Sequence, residues 1–332
     1  MPDGITAIER VVPSINPKEE ALSFRRIVWL WSVASVVCEG RGFVRAVRCL
    51  RFVSRAVLAS RALAPILDAS PQSPLGRLIA KRPETVGAVV WPYQCAGWDA
   101  ETRLARIREH FAEIDAVGGP LDFDVDDQIT LVDLPEIRDG LRVVIDQAKW
   151  FMREGQLVIN LFVGEVRIFS LAFSLGRDGG ERTAFVGAVQ GRDIEGVADE
   201  YRDLTKAAHG MRPRDLLFDI FRMLCSVLGV TRILAVSDQF RHHRSAYFGG
   251  PDQQFSKNYN EMWIDRGGEP AGPMFFAIRV EGARRELSEV PAKKRAMYRR
   301  RYDMVESIGQ QLRANYQALA VPRETAEIGS AP

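Results

Sequence analysis

The stretch from His209 to Ser237 constrains the fold more than any other part of the chain. It reads as a polar turn, His209-Gly-Met-Arg-Pro-Arg214, then a helical segment, then Gly229 and the apolar run Val230-Thr-Arg-Ile-Leu-Ala-Val-Ser237. Leu216, Leu217, Ile220, Phe221, Leu224 and Leu228 recur at steps of one, three and four, which places them on a single stripe of a helix. Pro213 suits the first turn of that helix and Gly229 the position after its end. A turn that opens onto a helix N-terminus presents backbone N–H groups with no intrahelical partner, so it favours an anion.

Strand-like segments precede this unit. Leu157–Phe162, Val166–Phe173 and Thr183–Gln190 are apolar runs, and Arg177-Asp-Gly-Gly180 carries a hairpin signal between the last two. Connections this short predict an antiparallel meander. Upstream, Leu22–Leu67 and Glu101–Ala116 have helical patterning, separated by the Pro/Ser-rich break Pro71–Pro83. Asp122, Asp124, Asp126 and Asp127 follow Gly118-Gly119-Pro120. An EF-hand loop starting at Asp122 would need Gly and Glu where Asp127 and Asp133 stand, so the segment reads as a solvated turn. The expected organisation is a flexible lead-in over 1–20, a mainly helical region over 21–150, a domain of strands and helices over 151–315 and a tail over 316–332.

A composition of 46% hydrophobic and 27% charged residues supports a real core. Cys38, Cys49, Cys95 and Cys225 match no CxxC motif and read as reduced thiols. The longest apolar run, Ile27–Val37, is too short for a bilayer span of roughly 20 residues. The polar first residues, with Pro13 and Pro17, show no secretory signal, so a cytoplasmic location is expected. The net charge of +2 is segregated: Arg25–Arg61 holds eight arginines against Glu39 alone, and Arg284–Arg301 holds eight basic residues against Glu286 and Glu289. Such blocks suit phosphate, a lipid headgroup or an acidic carrier protein, or they are solvated faces. Arg41, Arg45, Arg48, Arg51 and Arg55 make a basic amphipathic face that can dock on an inner-membrane surface or pack on its own domain. Lys293, Lys294, Arg295, Arg299 and Arg300, interleaved with Tyr298, form a second anion- or partner-binding candidate. That cluster is expected to be partly buried, with some of it paired to acids elsewhere in the chain. Tyr–Arg interleaving also fits nucleic acid, but no groove-reading motif accompanies it.

Antiparallel strands, a donor-rich turn, a helix and a further strand resemble the order in the GNAT acetyltransferase superfamily, where that turn binds the pyrophosphate of coenzyme A. The resemblance implies an α+β fold: a helical N-terminal region packed on a GNAT-like mixed, mainly antiparallel sheet with flanking helices. It implies that Gln190 and Gly191 end the central strand and, with Gly210, Arg212 and Arg214, hold the donor's phosphates. Asn258–Trp263 with Gly267-Gly268 is similar to that fold's closing helix and tight turn. The superfamily's glycine-rich Q/RxxGxG/A pattern is absent here: only Gly210 is present, and Pro213 removes a donor. This departure points to an acyl carrier protein, as well as acyl-CoA, as donor. His209 or Glu165 would take the proton from a peptide or lipid-linked amine, with His242 as a further candidate.

Several landmarks resemble the VirK/YbjX family of bacterial proteins. They are Gly164-Glu165, Val186-Gly-Ala-Val-Gln-Gly191, His209-Gly-Met-Arg-Pro213, Ile233-Leu-Ala-Val-Ser237, Trp263 with Gly267-Gly268, and Pro291–Tyr302. The resemblance covers about residues 140–315. It implies association with virulence and with envelope or antimicrobial-peptide resistance, and it brings no catalytic residues. Two further readings stay open. One is a non-enzymatic anion-binding factor. The other is a non-haem iron oxygenase using His209, Asp238 and His242, although the usual HxD…H order is missing and metal is not the expected cofactor.

Overall fold

The protein is described by a computed structural model covering residues 24–250 and 258–320. The lead-in expected over 1–20 and the tail beyond residue 320 lie outside the described residues. Helices come first: α1 (Phe24–Val37), α2 (Gly42–Leu58), α3 (Ser60–Leu67), α4 (Pro74–Lys81) and α5 (Ala100–Val117). Leu30, Val33, Ala34 and Val37 make the buried stripe of α1, and Phe52, Val53 and Ala56 that of α2. Two N-caps are built as the sequence chemistry requires. Ser73 accepts the Gly76 N–H at the start of α4, and Asp99 accepts the Thr102 N–H at the start of α5.

The strands are β1 (Gln128–Asp133), β2 (Leu141–Asp146), β3 (Leu157–Val163), β4 (Val166–Asp178), β5 (Glu181–Gly191), β6 (Arg232–Val236), β7 (Glu269–Ala271) and β8 (Phe275–Arg279). Between β5 and β6 lie α6 (Val197–Ala207) and α7 (Pro213–Val227), α8 (Tyr259–Ile264) follows β6, and α9 (Ala292–Ala320) closes the chain. All eight strands form one sheet in the order β1-β2-β3-β4-β5-β6-β8-β7. Every neighbouring pair is antiparallel except β5 with β6, whose parallel pairing the α6–α7 crossover makes possible. The chain is therefore an α+β protein with a mixed, mainly antiparallel sheet.

Three details depart from the sequence reading. β1 and β2 fall within the region read as helical, yet they continue the same sheet as β3. Helix α6 stands between Gly191 and the His209 turn. α9 runs through residue 316, where a tail was expected.

β4 serves both faces of the sheet by alternation. Phe173 packs edge-on against Phe221 of α7 at 5.0 Å, whereas Ser174 meets Tyr93 and a Cβ at Gly176 would meet the Glu109 side chain of α5. Glu113 of α5, 5% exposed, is neutralised by Arg177 at 2.6 Å and Arg182 at 2.7 Å, which ties the helix to the β4–β5 hairpin. A buried chain, Ser170 to Asn160 to Asp146, fixes the register of β4, β3 and β2.

His110 of α5 lies in the same interface. Its Nδ1 accepts the Leu175 N–H at 3.0 Å, its Nε2 has no partner, and burial pushes its pKa down to about 3. The folded state therefore holds this ring neutral, while the unfolded chain takes up a proton near pH 6.5. Stability from this group is complete above that pH and falls as the pH drops toward about 3. Linkage predicts a loss of about 2 kcal/mol between pH 6.5 and roughly pH 5. His110→Asn keeps an acceptor for Leu175 and cannot titrate. Urea unfolding at both pH values should show a flatter response in the variant by that amount, and identical pH dependence in variant and parent would refute the assignment.

Candidate functional site

The sheet forks at its one parallel pair. β5 and β6 pair from Thr183↔Arg232 to Val186↔Ala235, and β5 then continues alone to Gly191. The fork begins at a bulge: Ala172 pairs with Ala188 and Phe173 with Val186, which leaves Gly187 unpaired against β4. The Glu154–Gly155 main chain crosses here. A Cβ on Gly187 would stand 1.9 Å from the Glu154 carbonyl oxygen, and one on Gly155 would stand 2.5 Å from the Phe173 nitrogen. Further along, the Tyr259 hydroxyl accepts the Val189 N–H at 3.0 Å and pairs with the Val189 carbonyl at 3.1 Å.

Three loops meet over this fork. Gln94, at φ 49°, donates its N–H to the Arg153 carbonyl at 2.7 Å, and Ala96 donates to the Phe240 carbonyl at 2.8 Å. The adjacent residues Arg153 and Glu154 then serve different spaces. Arg153 lines a cavity of about 680 Å³ between α1–α2 and the loops 90–98 and 245–248, and Glu154 turns into the core.

That cavity is lined by Arg48, Arg51 and Arg55 of α2, by Arg103 of α5 and by Arg153, against Glu39 as the one acidic residue among the described lining. Arg48 is spent on the Glu39 main-chain carbonyl at 2.8 Å. Arg103 donates to the Asp99 and Trp91 carbonyls; burial and then the charge of Arg55 lower its pKa. Arg153 lies over Trp91 at 4.4 Å, with Phe248 at 5.4 Å and Tyr247 at 5.5 Å. Arg51 and Arg55 have neither hydrogen bond nor ion pair among the described residues. Cys38, at the same wall, is pushed up to about 11 by burial and by its hydrogen bond with Cys49, so it is a thiol rather than a nucleophile.

Behind Arg153 and Phe248 sits a second group. Glu154 is 4% exposed, accepts from Gln190 Nε2 at 2.5 Å and lies 3.8 Å from His242 Nδ1. Burial raises its carboxyl to about 8, against the pull of Arg241, Gln190 and Arg153. Burial holds His242 well below its ordinary value and also lowers half-buried His243, with neighbouring positive charges adding to both effects. The two imidazole rings stand 3.7 Å apart, centre to centre.

The residues singled out by sequence are dispersed. Gly210, Arg212 and Arg214 do converge, on a groove of about 600 Å³ shared with Arg202 and Lys206 of α6. The inner side of the turn is occupied, because the His209 carbonyl accepts from Arg301 Nη2 at 2.7 Å and Nε at 3.1 Å. Gln190 does not join this groove but bonds Glu154, while Gly191 lies against Phe169 and Tyr201, which line it. Glu165 is at an exposed hairpin tip, paired with Arg142 at 3.2 Å. No contact links His209, Glu165 and His242, so they do not form one catalytic set.

The His209–Asp238–His242 metal triad is not assembled either. Asp238 is taken by Arg244, Arg241 and the Tyr259 N–H, and extended Arg241 separates the two short 3-10 turns that carry Asp238 and His242. The terminal basic cluster is exposed rather than partly buried. Arg295 bonds the Val290 and Ser288 carbonyls, and Lys293, Lys294, Arg299 and Arg300 have no ion pair among the described residues. Sequence reasoning passes over Arg153, Glu154 and Tyr259. The available signal was Gly187, since a lone glycine inside a strand marks a bulge or a close backbone approach.

Fold and site together define an α+β protein with one forked sheet and an arginine-lined cavity at the fork. The chain belongs to the family described as "Protein of unknown function (DUF535)", whose model matches residues 41–314. It is 26% identical over 243 residues to "Uncharacterized protein YbjX" of Escherichia coli (strain K12), a match that covers 72% of this chain and 74% of that protein. An uncharacterised protein of Haemophilus influenzae is 28% identical over 123 residues, covering 37% of this chain and 40% of the relative. No solved structure matches the chain.

The crossing at Gly187 carries its own expectation. Gly187→Ala forces a methyl group into the Glu154 carbonyl, and both partners are backbone. Overpacking of this kind costs roughly 1–3 kcal/mol. Denaturant unfolding should show the midpoint fall accordingly, and an unchanged midpoint would mean that the 154–155 loop is not held against β5.

Proposed function

We propose that the protein is a peripheral membrane factor that draws the headgroup of a phosphate-bearing amphiphile into the arginine cavity. The observation that carries this reading is the pair Arg51 and Arg55, left without a carboxylate beside Arg103 and Arg153. Cations held this close repel one another, and a phosphate accepting bidentate guanidinium bonds removes that cost.

The same helices support the membrane part of the reading. Phe24, Phe43 and Leu58 are 80%, 83% and 83% exposed, and Trp31 and Leu50 are exposed as well. Apolar side chains among arginines on α1 and α2 match the pattern of an interfacial helix. No helix among the described residues is long and apolar enough to cross a membrane.

Each basic residue near an anionic surface contributes about 1 kcal/mol, so replacing both Arg51 and Arg55 by Ala should weaken partition roughly thirtyfold. Co-sedimentation with phosphatidylglycerol-containing vesicles and with pure phosphatidylcholine vesicles checks this. Binding should prefer the anionic vesicles, weaken with salt and fall by that factor in the double variant. Equal partition to both vesicle types would overturn the reading.

A second reading, acyl transfer to a peptide or lipid-linked amine, is favoured by the basic groove at the start of α7. A helix and a parallel strand follow the turn, as in acetyltransferases, with α6 inserted before it. Arg202, Lys206, Arg212 and Arg214 would hold the phosphates of acyl-CoA or of an acyl carrier protein. Calorimetric titration with coenzyme A should then give binding that is at least about tenfold weaker in Arg212→Ala/Arg214→Ala, given that hydrogen bonds to charged groups contribute about 1.5–3 kcal/mol. Absence of binding to coenzyme A and to acyl carrier protein alike would remove this reading.

A further inference from the structure

Glu154, His242 and His243 come from two loops that the sequence separates by almost ninety residues. Each offers one ligand atom, and the three atoms lie within 4.8 Å of one another. Glu154 and His242 are buried and His243 is half-buried. Solvated acidic groups on a surface often cluster with no ion between them, but this carboxylate is inside the protein. Among the described residues its side-chain hydrogen-bond donor is the neutral amide of Gln190. Burying a carboxylate against two imidazoles is expensive unless something else completes the arrangement.

We infer that Glu154, His242 and His243 form a binding site for a divalent transition-metal ion of the zinc type. Two imidazoles and one carboxylate are a ligand set for catalytic zinc, which keeps a fourth position for water or a ligand group. The surroundings favour this chemistry on two counts. Burial disfavours the protonated form of both rings, and a metal ion binds the neutral form of imidazole. Gln190 orients the Glu154 carboxylate from β5, as outer-sphere partners of metal ligands do. Arg153 and Arg241 oppose a cation electrostatically. The site therefore depends on the ionised carboxylate, and a ligand set without Glu154 has no compensating charge. The inference is independent of both the lipid and the acyl-transfer readings.

The test uses the full chain, purified without chelator, stripped by dialysis against EDTA and reloaded with Zn²⁺ or Co²⁺. Elemental analysis should return zinc equimolar with protein. The Co²⁺ form should show intense visible absorption of low-coordinate cobalt, unlike the pale spectrum of the aqueous ion. His243→Ala, at a half-buried position, and Glu154→Gln should abolish both signals while circular dichroism stays that of the parent. Gln190→Ala should retain the site with affinity lowered about 10–100-fold, the usual effect of losing an outer-sphere partner. The Co²⁺ measurement on the unaltered chain needs no variant to fold. Substoichiometric zinc together with an aqueous-type cobalt spectrum would overturn the assignment, and so would equimolar metal that persists in both ligand variants.

Discussion

β5 and β6 run side by side for four residue pairs and then part, and the arrangement of the rest of the molecule follows from that fork. A parallel pair needs a long crossover, which here brings α6 and α7 across the sheet. Past Val186 the backbone of β5 has no strand on that side, and buried N–H and C=O groups must find partners elsewhere. Tyr259 supplies them at Val189, and the main chain of Glu154 settles over Gly187. A residue with any side chain at Gly187 would hold that loop off the sheet. The bulge, the glycine and the crossing loop are thus one device, and the candidate site is built on top of it.

Charge is distributed around the fork by burial. Where arginines meet carboxylates inside the protein, as Arg177 and Arg182 do at Glu113, the pairing is structural and the charges cancel. The cavity under α2 lacks that cancellation among the described residues, where Glu39 is the one acidic lining residue beside five arginines. Tight packing explains the first arrangement. Arg51 and Arg55 have no hydrogen bond or ion pair among the described residues, and the charge of Arg55 bears on Arg103. An external anion gives this arrangement a physical reason.

Local pattern made part of this legible in the sequence. The apolar stripe of α7, the run of β6 and the meander β3–β4–β5 stand where their residues predict, because each is long enough for its period to show. β1 and β2 were not legible. Each is six residues long, and the polar segment between them carries Pro135 and Gly140, so neither shows a period of its own. Helix α6 was hidden because its buried contribution is Leu204 alone. The arginines at 48, 51 and 55 were visible as a basic face, but what they face depends on loops 90–98 and 238–248, which carry no periodic signal. Glu154 was invisible for a related reason: Arg-Glu-Gly reads as a surface turn, and only the tertiary crossing buries the middle residue.

The dipeptide Arg153-Glu154 joins the two spaces. Its main chain is pinned from one side by the Gln94 N–H and from the other by Gly187. Neighbouring side chains on a pinned backbone leave in different directions, so the arginine enters the cavity and the carboxyl enters the core. The positive charge of Arg153 acts on Glu154, His242 and His243 together, favouring the ionised carboxylate and the neutral imidazoles. Cation–π contact with Trp91, Tyr247 and Phe248 holds that guanidinium at the cavity wall, so the charge of one side chain is felt on both sides of the loop.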